Sequence, residues 1–196
     1  MKLKLFLCGC LALSTSLVAR DRDEANAGFR NAVILVIRHA ENPASGTGLS
    51  PAGQERAQAY VNYFKNYTVG STPLKLDYLY ATADSSASHR PRLTITPLSQ
   101  ALGLAIDGQF KDDDYEKVVR AVRDKPAGKQ FLFCWHHGNI PQLVKAFGGN
   151  SDALFPNKKW PDAIYDWVIQ LRYDANGQLI EIRRTNEKLM PGDSGN

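Results

Sequence analysis

The chain has 196 residues, 43% hydrophobic and 22% charged, which is enough for one domain with a substantial core and too few for two. Its formal net charge of +4 is mild and Lys and Arg form no block longer than a pair, which excludes a nucleic-acid footprint.

Lys2 and Lys4 precede an apolar run over 5–19, and a charged stretch over 20–24 follows it. A basic start, a short apolar stretch and then small residues make the pattern of a secretory signal peptide. The run is too short, and too rich in Ser, Thr, Gly and Cys, for a membrane span. We expect residues 1–27 to be removed, with a cut after Ala19 as the alternative, and 28–196 to form the domain. An uncleaved anchor is the competing reading; a lipoprotein box over 7–10 would fall too early. Cutting after Ala27 removes four basic and three acidic residues, taking the charge from +4 to +3. Cys8 and Cys10 leave with it, so Cys134 remains alone and no internal disulfide can form. The expected location is periplasmic or secreted, with no stable membrane insertion after cleavage.

From Asn31 onward, strand-length apolar runs alternate with helical patterns, which argues for an α/β domain. The run over 32–37 (AVILVI) is continuously apolar and rich in β-branched residues, as a strand covered on both faces should be. Ser50-Pro51 supplies a capping residue and a first-turn proline, and Ala57, Tyr60 or Val61, and Phe64 then recur on one helical face. Residues 70–73 read as a loop and 76–81 (LDYLYA) as a strand. A helix is expected over 90–102, with Pro97 marking a kink. Residues 114–123 read as a short solvent-side helix and 130–135 (QFLFCW) as a buried strand. Asn139-Ile140-Pro141 opens a helix that Gly148-Gly149 ends. Residues 166–173 and 178–184 read as two strands joined through Asn176-Gly177.

The four histidines are the most informative feature. Arg38-His39 follows the first strand, His89-Arg90 comes soon after the second, and His136-His137 follows the third. Carboxyl ends of parallel strands share one edge of a sheet, where ligands bind, so three segments deliver His and Arg to one place. Any one of these histidines could be incidental; all four together argue for a site. The forked guanidinium groups of Arg38 and Arg90 suit an anion with several oxygens, and the imidazoles add further donors, which favours phosphate. A neutral imidazole is a competent nucleophile provided its other nitrogen keeps the proton.

Several pieces of the sequence resemble the histidine phosphatase (phosphoglycerate mutase-like) superfamily, and the resemblance covers nearly the whole domain. Val36-Ile37-Arg38-His39-Ala40-Glu41 is similar to its strand ending in Arg-His-Gly, with Ala40 in place of the glycine. Leu49-Ser50-Pro51-Ala52-Gly53 through Ala57 resembles its Leu-Ser-x-x-Gly-x-x-x-Ala helix start. Ser85-Ser86 with Arg90 and Thr94 resembles its Ser-Ser and Arg-x-x-x-Thr segment, and His137-Gly138 resembles its second histidine. The resemblance implies a three-layer α/β/α sandwich around a mostly parallel sheet.

It also implies roles. His39 would be the phosphorylated nucleophile, with Arg38, Arg90 and His137 holding the phosphoryl oxygens. His136 competes with His137, and its other reading is rim or inward packing. Asn42 would donate to the substrate phosphate or set up the turn at Pro43. Asp112, with Asp113 next, is the expected general acid; a solvated acidic loop is the alternative. The methyl of Ala40 is expected to narrow the pocket.

The function expected is an exported phosphomonoesterase working through a phosphohistidine, on a small-molecule or surface phosphomonoester, with no metal and no cofactor. A mutase would use the same residues, but no insertion long enough for a closed lid is present. Two rivals remain: an inactive phospho-ligand-binding protein of the same fold, and a metal-binding periplasmic protein. The second lacks metal-ligand spacing such as His-x-x-x-His and would place two arginines beside a cation. Trp135, Phe155, Trp160 and Tyr165 read as core and rim packing or as an aromatic wall.

Overall fold

In the computed structural model, which describes residues 27–193, strand β1 (Val33–Arg38) is buried along its whole length. It lies inside a six-stranded sheet whose other members are β4 (Tyr78–Thr82), β5 (Ile106–Phe110), β6 (Gln130–Trp135), β7 (Trp167–Tyr173) and β8 (Leu179–Asn186), in the order β5-β4-β6-β1-β7-β8. Strands β5, β4, β6 and β1 pair parallel, while β7 runs antiparallel to both β1 and β8. The continuous apolar run of β1 follows from this placement, because both of its edges are paired and both faces are covered.

Alternation along the strands divides the core in two. Leu35 and Ile37 of β1 and Leu132 and Cys134 of β6 face helices α1 (Pro51–Lys65) and α2 (Arg90–Leu102), which contribute Tyr60, Phe64, Ile95 and Leu98. Ile34, Val36, Phe131 and Phe133 face α3 (Tyr115–Arg123) and α4 (Ile140–Ala146), which contribute Val118, Val122, Leu143 and Val144. The result is the three-layer α/β/α sandwich expected from the sequence.

Details differ from the sequence reading in three places. Residues 70–73 are not a plain loop: β2 (Thr68–Val69) and β3 (Thr72–Pro73) form a small hairpin around Gly70, whose φ is 61°. Helix α2 continues through Pro97, since Thr94, Ile95 and Leu98 are buried against the sheet and outweigh the lost backbone bond. Strand β5, with the sequence IDGQF, was not expected. It is an edge strand, and its Asp and Gly carry no strand signature.

Aromatic stacking ties the layers together on the α3–α4 side. Phe133 lies flat on Tyr80 at 4.6 Å between ring centres, 5.2 Å from Phe147. Phe133→Ala should destabilise the protein by about 3–5 kcal/mol, read as a lowered urea midpoint with an unchanged slope.

Candidate active site

Strands β1, β4, β5 and β6 all end at the same sheet edge, and the loops beyond them carry the candidate residues. Arg38 closes β1 and His39 follows it, both only 2% exposed. The His39 amide donates to the Trp135 carbonyl at 3.0 Å, extending the β1–β6 ladder by one residue and fixing the histidine backbone to the strand.

The His39 ring is oriented by its own loop. Nδ1 lies 2.7 Å from the Ala40 carbonyl, which can only accept, so Nδ1 carries the proton and Nε2 keeps a free lone pair. Burial pushes the imidazole down to about 3, reinforced by the positive charges of Arg38 and Arg90 against the pull of the Ala40 carbonyl. At neutral pH the ring is uncharged. It has the state a nitrogen nucleophile requires.

Arg38 is clamped from the far side. One terminal nitrogen, Nη1, donates to the carbonyls of Asp162 at 2.7 Å, Ile164 at 2.8 Å and Pro161 at 3.4 Å, and the Tyr165 ring lies 3.8 Å from the guanidinium carbon. Nε has no partner among the described residues. Three carbonyls hold one end of the fork and leave the other side of the guanidinium for an anion. Burial depresses the group, and Tyr165, Asp162 and Glu41 oppose that shift.

Arg90 begins α2, and its charge is felt by both His39 and His136. Its Nη1 reaches the Gly46 carbonyl at 3.3 Å and its Nε is unpartnered. Thr94, one turn on, accepts from the Ala40 amide at 2.8 Å and donates to the Arg90 carbonyl at 2.8 Å. That hydroxyl therefore ties the nucleophile loop to the helix bearing the second arginine, which gives the Arg-x-x-x-Thr spacing a physical reason.

His136 and His137 follow β6. The His136 ring meets His39 edge-on at 4.9 Å between centres, and its Nε2 is 3.8 Å from Asp112 Oδ1. Burial pushes His136 down to about 4, with Arg90, His137 and Arg38 adding to the effect. His137 Nε2 is 2.8 Å from Asp162 Oδ1 and its Nδ1 is buried without a partner. Asp112 lies just beyond β5, where its carbonyl accepts from Trp135 Nε1 at 2.9 Å. Burial raises its carboxyl above the ordinary range, aided by Asp113 and opposed by hydrogen bonds from Thr82 and Asn139.

The structure thus gathers Arg38, His39, Arg90, His136, His137 and Asp112 at one edge. Asn42 is exposed on the loop after His39, and His89 contributes its backbone, its amide donating to the Thr47 carbonyl at 2.9 Å. Trp135, Phe155 and Trp160 are core, whereas Tyr165 is half-buried against Arg38. Ala40, which follows His39, is fully buried. Among the described residues no three His, Cys, Asp or Glu side chains stand together as metal ligands.

Sequence reasoning missed the support behind the nucleophile. Glu41, two residues on, binds Arg56 of α1 at 2.7 Å, and Arg56, itself 2% exposed, also reaches Asp193 at 2.5 Å and Glu187 at 3.3 Å. Tyr60 donates to Glu187 at 2.9 Å. The signal was an arginine on the buried face of α1, between Gly53 and Ala57. Gly53 has its own reason: a Cβ there would lie 2.7 Å from the Glu41 carbonyl oxygen, so only glycine lets α1 approach the nucleophile loop. Asp162 was missed because it comes from an irregular loop, and Tyr165 was named only as rim packing or an aromatic wall, not as a partner of Arg38.

No family model matches the sequence, and no curated protein matches it either. Solved structures do. A phosphoglycerate mutase from Plasmodium falciparum superposes with a TM-score of 0.56 at 16% identity, over 83% of this chain and 96% of that one. A protein from Escherichia coli designated an alpha-ribazole-5'-P phosphatase gives 0.52 at 13% identity, over 79% and 96%. SixA from Agrobacterium tumefaciens, designated a phosphohistidine phosphatase, gives 0.50 at 18%, over 77% and 97%. The chain has the phosphoglycerate mutase-like fold.

Two predictions come from the buried cluster. Arg56→Met strands three carboxylates and should cost about 3–5 kcal/mol in urea unfolding. Burial pushes the Glu187 carboxyl up to about 8, against the opposing pull of Arg56 and Tyr60. The stability it contributes is full below its ordinary value of 4.5 and is lost as pH rises through about 8. Glu187→Gln should flatten the decline in urea midpoint across that window.

Proposed function

We propose that this chain is a phosphomonoesterase that works through a phosphohistidine on His39. The observation that carries the reading is the His39 ring itself: buried, uncharged, with Nδ1 committed to the Ala40 carbonyl and two arginine charges beside it. Neighbours of the same fold bear the names of phosphatases and mutases, which supports phosphoryl chemistry in general.

The reaction has two displacements. In the first, the Nε2 lone pair attacks phosphorus and the ester P–O bond breaks. Arg38, Arg90 and His137 bind the phosphoryl oxygens, whose charge they compensate without a metal. The leaving alkoxide takes a proton from the carboxylic acid of Asp112, which burial keeps more protonated than an ordinary aspartate. In the second, a water oxygen attacks phosphorus and the P–N bond breaks. The Asp112 carboxylate accepts the water's proton, so both the acid and the Nε2 lone pair are restored and inorganic phosphate departs.

We favour hydrolysis over mutase chemistry because the sequence carries no obvious insertion to form a closed lid that would retain the intermediate. Asn42, exposed on the loop after His39, is assigned to the substrate's phosphate or its rim. The substrate is a small-molecule or surface phosphomonoester. Export to the periplasm or beyond is part of the proposal and rests on residues 1–26, which lie outside the described residues.

Purified protein should hydrolyse p-nitrophenyl phosphate and give an acid-labile adduct in intact-mass analysis, and His39→Ala should lose both. Turnover surviving in that variant would sink the mechanism; phosphate binding without turnover would favour the inactive ligand-binding reading. Asp112→Asn should lower kcat by roughly 100-fold or more for an alkyl phosphate and far less for p-nitrophenyl phosphate, whose leaving group needs no proton. Because His39 titrates at about 3, the activity should persist at pH 5 instead of falling through the ordinary histidine range.

A further inference from the structure

Loop 156–166 lies against a guanidinium and an imidazole that reach the site from different strands, and one of its residues touches both. The Asp162 carbonyl accepts from Arg38 Nη1 at 2.7 Å, while its carboxylate lies 2.8 Å from His137 Nε2. The loop has a fixed position behind them. Phe155, Trp160 and Trp167 pack together, with ring centres 6.0 and 5.3 Å apart. Trp160 Nε1 also donates at 2.8 Å to the Ile164 carbonyl, which itself accepts from Arg38. Asp162 is thus an exposed side chain on an anchored backbone.

The His137 ring shows what the carboxylate does. A carboxylate only accepts, so Nε2 carries the proton, and a neutral ring must then leave Nδ1 bare. That Nδ1 is buried with no partner among the described residues. A phosphate dianion also only accepts, so a bare Nδ1 could not bind it. His137 becomes a donor to phosphate through Nδ1 only when the ring is doubly protonated, with one N–H on Asp162 and the other on the anion.

We propose that Asp162 is the positioning residue of the phosphate site, seating Arg38 through its carbonyl and holding His137 through its carboxylate so that the ring is charged when an anion arrives. This inference rests on the phosphatase reading for its consequence in turnover. The second proton is supplied by solvent or by the substrate, since a phosphomonoester monoanion titrates at roughly pH 6 and can deliver its own.

The charges facing His137 pull in opposite directions. Burial lowers its titration and the Arg38 guanidinium lowers it further, and the hydrogen bond and the charge of Asp162 oppose that fall without reversing it, so the ring needs the arriving anion as well to become charged. His136, the adjacent ring, is held neutral by its own burial and does not supply the opposing charge. Asp162 is therefore the single carboxylate set against burial and Arg38. Its exposure means that solvent screens part of the effect.

Asp162→Asn separates the two roles, because the amide oxygen still accepts from Nε2 but the charge is gone. In ring-nitrogen NMR titrations the His137 midpoint of this variant should fall by roughly half a pH unit or more. Saturating inorganic phosphate should raise the wild-type midpoint more than that of the variant. The alkaline limb of kcat/KM for p-nitrophenyl phosphate should move to lower pH by the same amount. Asp162→Ala should show the same shift plus a raised KM.

An unmoved midpoint in Asp162→Asn would overturn the proposal. So would a kcat/KM that rises at every pH, which would make Asp162 a barrier to anions. The ring titration needs no turnover, so a wild-type protein that fails to hydrolyse any ester would defeat the phosphatase reading while still testing Asp162.

Discussion

A neutral imidazole has one ring proton to place, and at His39 the Ala40 carbonyl, 2.7 Å from Nδ1, takes it. That choice leaves Nε2 as the only nitrogen with a lone pair, and every chemical role assigned to the site depends on it. The bond can be kept only if the backbone at 39–41 does not move. Three restraints hold that stretch: the His39 amide on β6, the Ala40 amide on Thr94, and the Glu41 carboxylate on Arg56. They come from the sheet, from α2 and from α1. The tautomer of one ring is thus fixed by all the elements that surround it.

The parts of the fold that could be read in the sequence were those with a strong local signature. Strand β1 announced itself through an unbroken apolar run rich in β-branched residues, and α1 through Ser50-Pro51 and its apolar face. Placing Arg-His pairs just past such runs was enough to predict a shared edge, because parallel strands leave their carboxyl ends together. Strand β5 had no such signature, and its sequence became a strand only by pairing with β4. The position of Asp112 depended on β5, so sequence reasoning could name that residue from resemblance alone.

Long-range polar pairing was the other blind spot. Arg56 meets Glu187 and Asp193 across 131 and 137 residues of chain, and no pattern in a window of helical length reports such partners. The one local clue was a charge on a face that otherwise buries Gly53, Ala57, Tyr60 and Phe64. A buried guanidinium needs carboxylates, so an arginine at that position already implied an acidic segment arriving from elsewhere. Which segment it would be was a matter of tertiary structure, as it was for the Asp162 and Tyr165 contacts to Arg38.

The same environment gives chemically similar side chains different tasks. Burial dominates at His39 and at His136, and the nearby arginines press in the same direction, so both rings are neutral over the whole range in which the protein would work. Burial also raises Asp112, which turns an ordinary carboxylate into a better proton donor. His137 differs because it alone among the three site histidines has a carboxylate within hydrogen-bond distance of a ring nitrogen. In the proposed reading a nucleophile must be uncharged and a phosphate ligand is better charged, and the two rings differ in the acceptor each meets. For His39 that acceptor is a neutral carbonyl, and for His137 it is an anion. The division of labour is set by those two contacts and not by the identity of the residues.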